Sequence, residues 1–161
     1  MPQNKDLKRL VRARMAFPVK GTGENYTQAL AHLQGQAALE PLPAAWRMTG
    51  NRRADYEAGL LPGVSYDGDR VARLRLRADV AEPAGFGALV QTIGAPRYLG
   101  RRVCFSAMLK ATGVTNWAGL WLRVDGVNST LVLDNMEDRP LSGTTDWTPA
   151  SIVLDVAEQA R

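Results

Sequence analysis

The sequence predicts a mainly β protein, an antiparallel β-sandwich, with two short helices at its N-terminus. Three observations lead to this prediction. From Trp46 onward, apolar and polar residues alternate with the period of two that is typical of half-buried strands. Clusters of Pro, Gly and Asp separate these runs at short intervals. The runs follow each other without intervening helical patterns, which favours antiparallel pairing over a parallel α/β sheet.

The N-terminal 33 residues carry two short apolar stripes with helical spacing. Their members are Leu7, Leu10, Val11 and Met15 in the first stripe and Tyr26, Ala29, Leu30 and Leu33 in the second. Helices this short are marginal alone in water, so we expect an α-helical hairpin that packs on itself, on the strands or on a second chain. Residues 34–45, with Pro41 and Pro43, predict an extended linker before a β-sandwich domain at 46–161.

Five runs show the alternation most clearly and predict strands at 71–80, 101–111, 114–126, 129–136 and 150–157. Turn signals stand at 62–63, 67–68, 83–87, 125–126 and 142–143. In the first run, Arg73, Arg75 and Arg77 oppose the apolar row, and a solvated arginine face is the expectation. The "TTDW" stretch predicts a turn in which Asp146 accepts backbone N–H groups.

Composition indicates an ordinary globular protein. The chain has 161 residues, 45% hydrophobic and 22% charged, which fits one domain plus an accessory segment. Its apolar runs are too short for a transmembrane helix, and its first residues lack the pattern of a secretory signal. Cys104 has no second cysteine with which to pair. We therefore expect a cytoplasmic protein that does not associate with a membrane.

The net charge of +4 is concentrated in the N-terminal 33 residues, because residues 34–161 hold equal numbers of basic and acidic groups. The basic residues expected to dock on nucleic acid or on an acidic partner are Lys5, Lys8, Arg9, Arg12 and Arg14. Phosphate contacts need only such charge, but sequence-specific recognition also needs an element that reads a groove.

The stretches "GFGALVQTI", "RRVCFSAMLKATGVTNWAGLWLRVDG" and "LVLDNMEDRPLSGTTDWTPASIVLDV" resemble a jelly-roll domain of uncharacterised bacterial proteins. That domain is sometimes attached to transcription-regulator segments, and it is similar in outline to galactose-binding-like and carbohydrate-binding β-sandwiches. The resemblance covers residues 46–161 and is most specific between Asp134 and Trp147. It implies a jelly-roll fold and a closing strand after "VLDVAEQA", so that the chain would lack its last strand, and it supplies no catalytic residues because the domain has no established chemistry. We expect the N-terminal helices or a second copy in a homodimer to cover the resulting edge.

The tryptophan strand, residues 114–126, predicts a candidate ligand surface. Trp117, Trp121 and Arg123 alternate away from an aliphatic row that includes Leu120 and Leu122. Flat aromatic rings beside a guanidinium can stack a sugar or a planar metabolite and direct its hydrogen bonds. The alternative is that a second layer of the sandwich covers both tryptophans, which is the commoner fate of large aromatic residues.

The segment "DNMEDRP" supplies polar neighbours for this surface, namely Asp134, Asn135 and Arg139. Its clustered carboxylates raise the possibility of calcium, but they lack a recognised loop spacing, and Arg139 can pair with one of them instead. His32 is the only histidine, which argues against a zinc site or a catalytic triad. No glycine-rich phosphate loop is present. The sequence therefore predicts neither a metal nor a cofactor.

These features favour a non-catalytic module that binds a small molecule or a protein partner. One alternative is a protein associated with transcription regulators that contacts nucleic acid through its basic N-terminal helices. Another is a cavity enzyme, such as a cyclase, that works by shape and a few polar groups rather than by a recognisable nucleophile.

Overall fold

A computed structural model describes residues 38–161. The predicted helical hairpin, its five docking residues and His32 lie outside these described residues. The described chain falls into two compact units, one ending at Thr92 and the other spanning Ile93–Arg161. Every strand pairing in both units is antiparallel, which confirms the mainly β prediction. No helix among residues 38–161 has the length and apolar character needed to cross a bilayer.

Residues 38–92, the described part of the first unit, contain two antiparallel ribbons. They pair β1 (Trp46–Thr49) with β4 (Ala88–Gln91), and β2 (Tyr56–Tyr66) with β3 (Asp69–Leu76). The turn between β2 and β3 is the predicted Asp67–Gly68 pair, in which both residues have positive φ, 49° and 86°. Asp and Gly tolerate that conformation, and a two-residue turn of this kind matches the twist of the strands it joins.

Pro62–Gly63 was expected to form a turn between strands, and this expectation is wrong. Both residues lie inside β2, where the register with β3 shifts between Leu60 and Ser65. Gly63 adopts a φ of 69°, as an extra-residue bulge requires. A bulge uses the same residue types as a turn, because both need a local left-handed conformation.

The prediction that Arg73, Arg75 and Arg77 are exposed to solvent is wrong for two of the three. Arg73 and Arg75 are half-buried, and only Arg77 is exposed. Burial, followed by repulsion from Arg75, lowers the pKa of Arg73. Gly59 pairs with Arg73, and a Cβ at Gly59 would lie 2.6 Å from the Cβ of Leu39. The segment before β1 therefore lies against the arginine face and shields it from water.

The second unit joins a long ribbon and a short one. β5 (Arg102–Ala118) pairs with β8 (Leu141–Asp155), and β6 (Leu122–Asp125) pairs with β7 (Thr130–Asp134). The buried residues of its core are Ala95, Val124, Met136, Ala150, Ile152, Leu154 and Val156. On β8 the alternation is confirmed, since Ile152 is 1% exposed, Val153 51% and Leu154 9%.

The "TTDW" stretch does not form the predicted turn, because it lies within β8. The register between β5 and β8 shifts repeatedly here, and each shift frees backbone N–H groups. The side chains of "TTD" satisfy three of them. The N–H of Ala111 donates to Thr145 Oγ1 at 3.3 Å, and that of Gly113 to Thr144 Oγ1 at 3.0 Å. The N–H of Trp147 donates to Asp146 Oδ1 at 2.8 Å, so the predicted role of Asp146 as an acceptor is confirmed.

Ile152 and Val153 test which face of β8 supports the core. Ile152→Ala should lower the free energy of unfolding by about 2–5 kcal/mol, because it opens a cavity among buried side chains. Val153→Ala, the control one residue away, should change it by about 0.5 kcal/mol or less. Urea denaturation followed by circular dichroism measures both. Equal effects of the two substitutions would contradict the assigned face.

Candidate functional site

The predicted tryptophan strand is broken into two strands. β5 ends at Ala118 and β6 begins at Leu122, so residues 119–121 lie outside both. Buried Met136 fills this break. A Cβ at Gly119 would lie 3.1 Å from Met136 Cβ, and the N–H of Leu120 donates to Met136 Sδ at 3.3 Å. The expectation of one continuous strand is therefore wrong, because a side chain from elsewhere in the chain is packed into its middle.

The aliphatic row nevertheless faces inward as predicted. Leu120 and Leu122 pack against the buried core of the second unit, and Val124 belongs to that core. Trp117, on β5, is 45% exposed, whereas Trp121, in the break, is half-buried. The two tryptophans therefore do not share a strand and differ in their access to solvent.

Trp121 contacts the side chain of Arg123. The guanidinium carbon of Arg123 lies 5.9 Å from the centre of the Trp121 ring, which is cation–π distance. Asp125 accepts a hydrogen bond from Arg123 Nε at 3.0 Å and another from Thr130 Oγ1 at 3.1 Å. Strand alternation brings Arg123 and Asp125 to one face, and their ion pair holds the guanidinium beside the ring.

Leu133 extends this surface, and sequence reasoning missed it. Arg123 pairs directly with Leu133 across the β6–β7 ribbon, and paired residues share a face. Leu133 is 51% exposed, so the face combines an aromatic ring, a cation and an aliphatic side chain. We call Trp121, Arg123 and Leu133 the Trp121 surface. Leu133 could be identified only from the pairing register of β6 and β7. The alternation of residues within one strand gives no information about that register.

Asp134 and Arg139 form a second cluster, on the turn after β7. Asp134 pairs with Leu122 and thus faces the opposite side of the ribbon from Arg123. Arg139 donates to Asp134 Oδ2 and to Asp138 Oδ1, each at 2.6 Å. Asp134 Oδ1 accepts the N–H of Met136 at 2.8 Å, and Asn135 Oδ1 accepts the N–H of Glu137 at 3.2 Å. Of the six predicted contact residues, Trp121 and Arg123 therefore lie together, Asp134, Asn135 and Arg139 lie on the turn after β7, and Trp117 lies apart on β5.

Arg139 pairs with both Asp134 and Asp138, which leaves these three residues with a net charge of −1. The hydrogen bond from Arg139, followed by that from Met136 N–H, lowers the pKa of Asp134 below its usual 3.8. The same pairing, together with Asp138, raises the pKa of Arg139. The sequence left two alternatives for these carboxylates, calcium binding or pairing with Arg139, and in the structure Asp134 and Asp138 pair with Arg139. Among the described residues, no group of three or more acidic, histidine or cysteine side chains is arranged to hold a metal ion.

A shallow groove of about 530 Å³ lies beside Arg139 and runs along β8. Besides Arg139 its polar lining consists of hydroxyl residues, namely Ser142, Thr145, Thr148 and Ser151. Met136, Leu141 and Ala150 contribute apolar surface. We call this the Arg139 groove. Its hydroxyl residues were not predicted as a site, although all four lie on β8.

Comparison with known proteins gives one informative similarity. The chain is 31% identical over 143 residues to a protein of Bacillus subtilis (strain 168) named as the uncharacterised HTH-type transcriptional regulator YbfP. The match covers 87% of this chain and 48% of that protein, so the chain spans about half the length of the curated relative it matches. No family model matches the sequence, and no solved structure matches it. The name of the relative agrees with the expected association with transcription-regulator segments.

Asp134 should make the stability of the protein depend on pH. Because its pKa is lower in the folded state than in the unfolded state, its contribution is fully present above the unfolded value of 3.8. The contribution disappears as the pH falls through the folded pKa. Asp134→Asn should therefore destabilise the protein at pH 7, and the difference from the unmodified chain should vanish in strong acid.

The control is Asp138→Asn, since Asp138 is 78% exposed and its carboxylate also pairs with Arg139. Its effect at pH 7 should be smaller, as usual for exposed ion pairs. Urea melts between pH 2 and pH 7 measure both variants. An Asp134→Asn deficit that persists unchanged at low pH would contradict this account of the turn.

Proposed function

We propose that this chain is the ligand-recognising part of a transcriptional regulator. The observation that carries the proposal is which residues of this chain are similar to the regulator. Only residues 1–37 precede the described part, so most of the 143 matched residues must lie in the β-strand units. A helix-turn-helix needs two α-helices, and residues 38–161 contain strands and two short 3-10 helices instead. The similarity therefore concerns mainly a part of the regulator other than its DNA-reading helices.

The proposal also includes a specific fold for the strands and for the N-terminal segment. We assign the strands to a jelly-roll sandwich related in outline to galactose-binding-like domains, preceded by the N-terminal helical hairpin. The nested order of the antiparallel pairs along the chain, in which β1 and β4 stand before and after the β2–β3 hairpin, supports the assignment. A cytoplasmic location and a homodimer follow from the proposed role, because transcription regulators act on DNA and commonly bind paired half-sites.

The Trp121 surface, with Trp117, is the proposed place for a planar or ring-shaped ligand. The ring of Trp121 supplies an apolar face, and Arg123 is held beside it in a position to donate hydrogen bonds. Leu133 adds an exposed aliphatic contact on the same face. Asp134, Asn135 and Arg139 are the proposed polar contacts of a separate position at the Arg139 groove.

Arg123→Gln should weaken the binding of such a ligand about tenfold, because charge-assisted hydrogen bonds contribute about 1.5–3 kcal/mol. A panel of aromatic acids and nucleosides is titrated into the full chain by calorimetry. Arg102→Gln is the matched control, since Arg102 is also exposed and pairs with a carboxylate, that of Asp155, on another ribbon. Equal losses in both variants, or no binding by any panel member, would contradict recognition at this surface.

Contact with nucleic acid through the N-terminal segment is a second candidate function, favoured by the name of the relative and by the excess charge of residues 1–33. The full chain should bind duplex DNA at low salt. Its affinity should fall linearly on a log–log plot against salt, with a slope of about −0.9 for each phosphate contacted.

The test substitutes glutamine for the five basic docking residues, Lys5, Lys8, Arg9, Arg12 and Arg14. The control substitutes Arg47, Arg53 and Arg97, which are exposed basic residues of the β units. Fluorescence anisotropy across a salt series should show loss of binding only in the first variant. Absence of DNA binding by the unmodified chain at low salt would remove this function.

A further inference from the structure

One edge of β8 has no partner strand. Within the described part of the chain, β8 pairs with β5 alone. The N–H of Val156, the residue after β8, donates to the backbone oxygen of Arg101 at 2.9 Å, so the backbone groups of Val156 point towards the β5 side. These groups alternate in direction along an antiparallel strand. The backbone groups that point away from β5 are therefore those of Ser151, Val153 and Asp155, and we call this row the β8 edge.

Two neighbouring residues agree with this direction. Pro149 belongs to the same alternating row, and proline, which has no N–H, is tolerated in a strand where that position faces away from a paired neighbour. A guanidinium N–H of Arg139 reaches the backbone oxygen of Ser151 from outside the ribbon, at 3.5 Å. This distance exceeds the usual range of about 2.7–3.2 Å, so the oxygen remains available to a closer donor.

The β8 edge lacks the features that usually protect an unpaired strand. Lysine, proline or a bulge within an edge prevents pairing with another strand. Ser151 and Val153 are uncharged, and Asp155 is paired with Arg102, whose Nε lies 2.8 Å from its carboxylate. The register shifts of the β5–β8 ribbon all lie on the other side of Pro149. The row itself is therefore regular and open to pairing.

The β8 edge is complementary to itself in the antiparallel direction. A twofold axis at Val153 pairs the valines of two copies, a favourable combination of β-branched residues. The same register places Ser151 opposite Asp155 of the second copy, so that a hydroxyl donor meets a carboxylate. Each of these pairs exchanges two backbone hydrogen bonds. Pro149 falls opposite Ala157, where the strand has ended, and its missing N–H therefore costs no bond.

The buried face of β8 matches in the same register. Ile152 and Leu154 are 1% and 9% exposed, and the axis places each Ile152 opposite Leu154 of the second copy. The outer edge of β5 lacks such a match. A corresponding axis at Ser106 would place Arg102 opposite Lys110 of the second copy, and like charges directly opposite each other are destabilising. Self-pairing therefore favours β8 over β5.

We propose that the β8 edge joins two copies of this chain by antiparallel pairing centred on Val153. Both copies use the same edge, so the contact closes as a dimer rather than growing into a fibre. The inference gives the proposed homodimer a specific interface, but it rests on the geometry of β8 and not on any ligand. The Arg139 groove lies mainly along the part of β8 before Ala150, so the two uses of the strand concern different stretches of it.

Sedimentation velocity over a concentration series should show the full chain associating to the mass of two copies, each of 17.5 kDa. Val153→Pro should weaken this association about tenfold or more, because each copy loses an N–H donor from the central pair. Its fold should persist, since that N–H faces away from β5. Val153→Lys is a second variant, which keeps every backbone N–H and opposes two cations across the axis. It should weaken the association as well.

Ser106→Pro is the matched control for the other edge of the ribbon. Ser106 is exposed and pairs directly with Ser151, so its N–H points to the outer edge of β5. This variant should associate as strongly as the unmodified chain. Circular dichroism of all three variants establishes that they are folded.

Cys104 provides a direct distance measurement. It is the only cysteine of the chain, it is exposed, and it pairs directly with Val153. In the proposed dimer the two Cys104 Cα atoms are separated by three strand spacings, about 14 Å in all. Nitroxide labels on Cys104 should therefore show the dipolar coupling of spins roughly 15–25 Å apart, once the label arms are added to these strand spacings.

Three results would overturn the proposal. The first is a full chain that stays monomeric at every concentration, whether residues 1–37 or nothing covers the edge. The second is association that persists in both Val153 variants, or that Ser106→Pro abolishes instead. The third is a pair of labels without dipolar coupling in the dimer. Each result concerns the dimer alone, and the ligand titrations at the Trp121 surface decide the proposed function separately.

Discussion

The placement of Met136 is the constraint on which the arrangement of the second unit depends. Its backbone has a φ of 59°, which costs a residue other than glycine about 1–2 kcal/mol. Its side chain is only 4% exposed, and burial of a methionine is worth about 1.5–3 kcal/mol. Burial thus offsets the strain, and Asp134 further stabilises the conformation by accepting the Met136 N–H. Arg139 then holds Asp134 in that position.

Both candidate recognition surfaces follow from this placement. Met136 fills the break after β5, and Trp121 lies in this break, outside both strands, with its ring beside Arg123. On the other side, the turn around Met136 brings Arg139 to the rim of a groove along β8. The turn therefore contributes to each surface through packing, and the Trp121 surface needs no direct contact with Asp134.

The sequence predicted what depends on local periodicity and missed what depends on distant segments. Alternation identified the inward row of Leu120 and Leu122, and residue type identified the Asp67–Gly68 turn. The exposure of Arg73 could not be predicted, because Leu39 covers its face from outside the β2–β3 hairpin. The break in the tryptophan strand was likewise invisible, since the methionine that causes it lies more than a dozen residues further along the chain. A bulge such as Pro62–Gly63 uses the residue types of a turn, so type alone cannot separate them.

Charge pairing separates the chemistry of the β units from that of the N-terminal segment. Arg123, Arg139 and Lys110 each have a carboxylate within hydrogen-bond distance, so these cations present little net field to a ligand. Residues 1–33 instead carry the entire net charge of the chain. The excess positive charge therefore lies in the N-terminal segment, whereas these cations of the strands are paired with carboxylates. Under the proposed function, this division lets a ligand bind the strands without competing with DNA for the same charges.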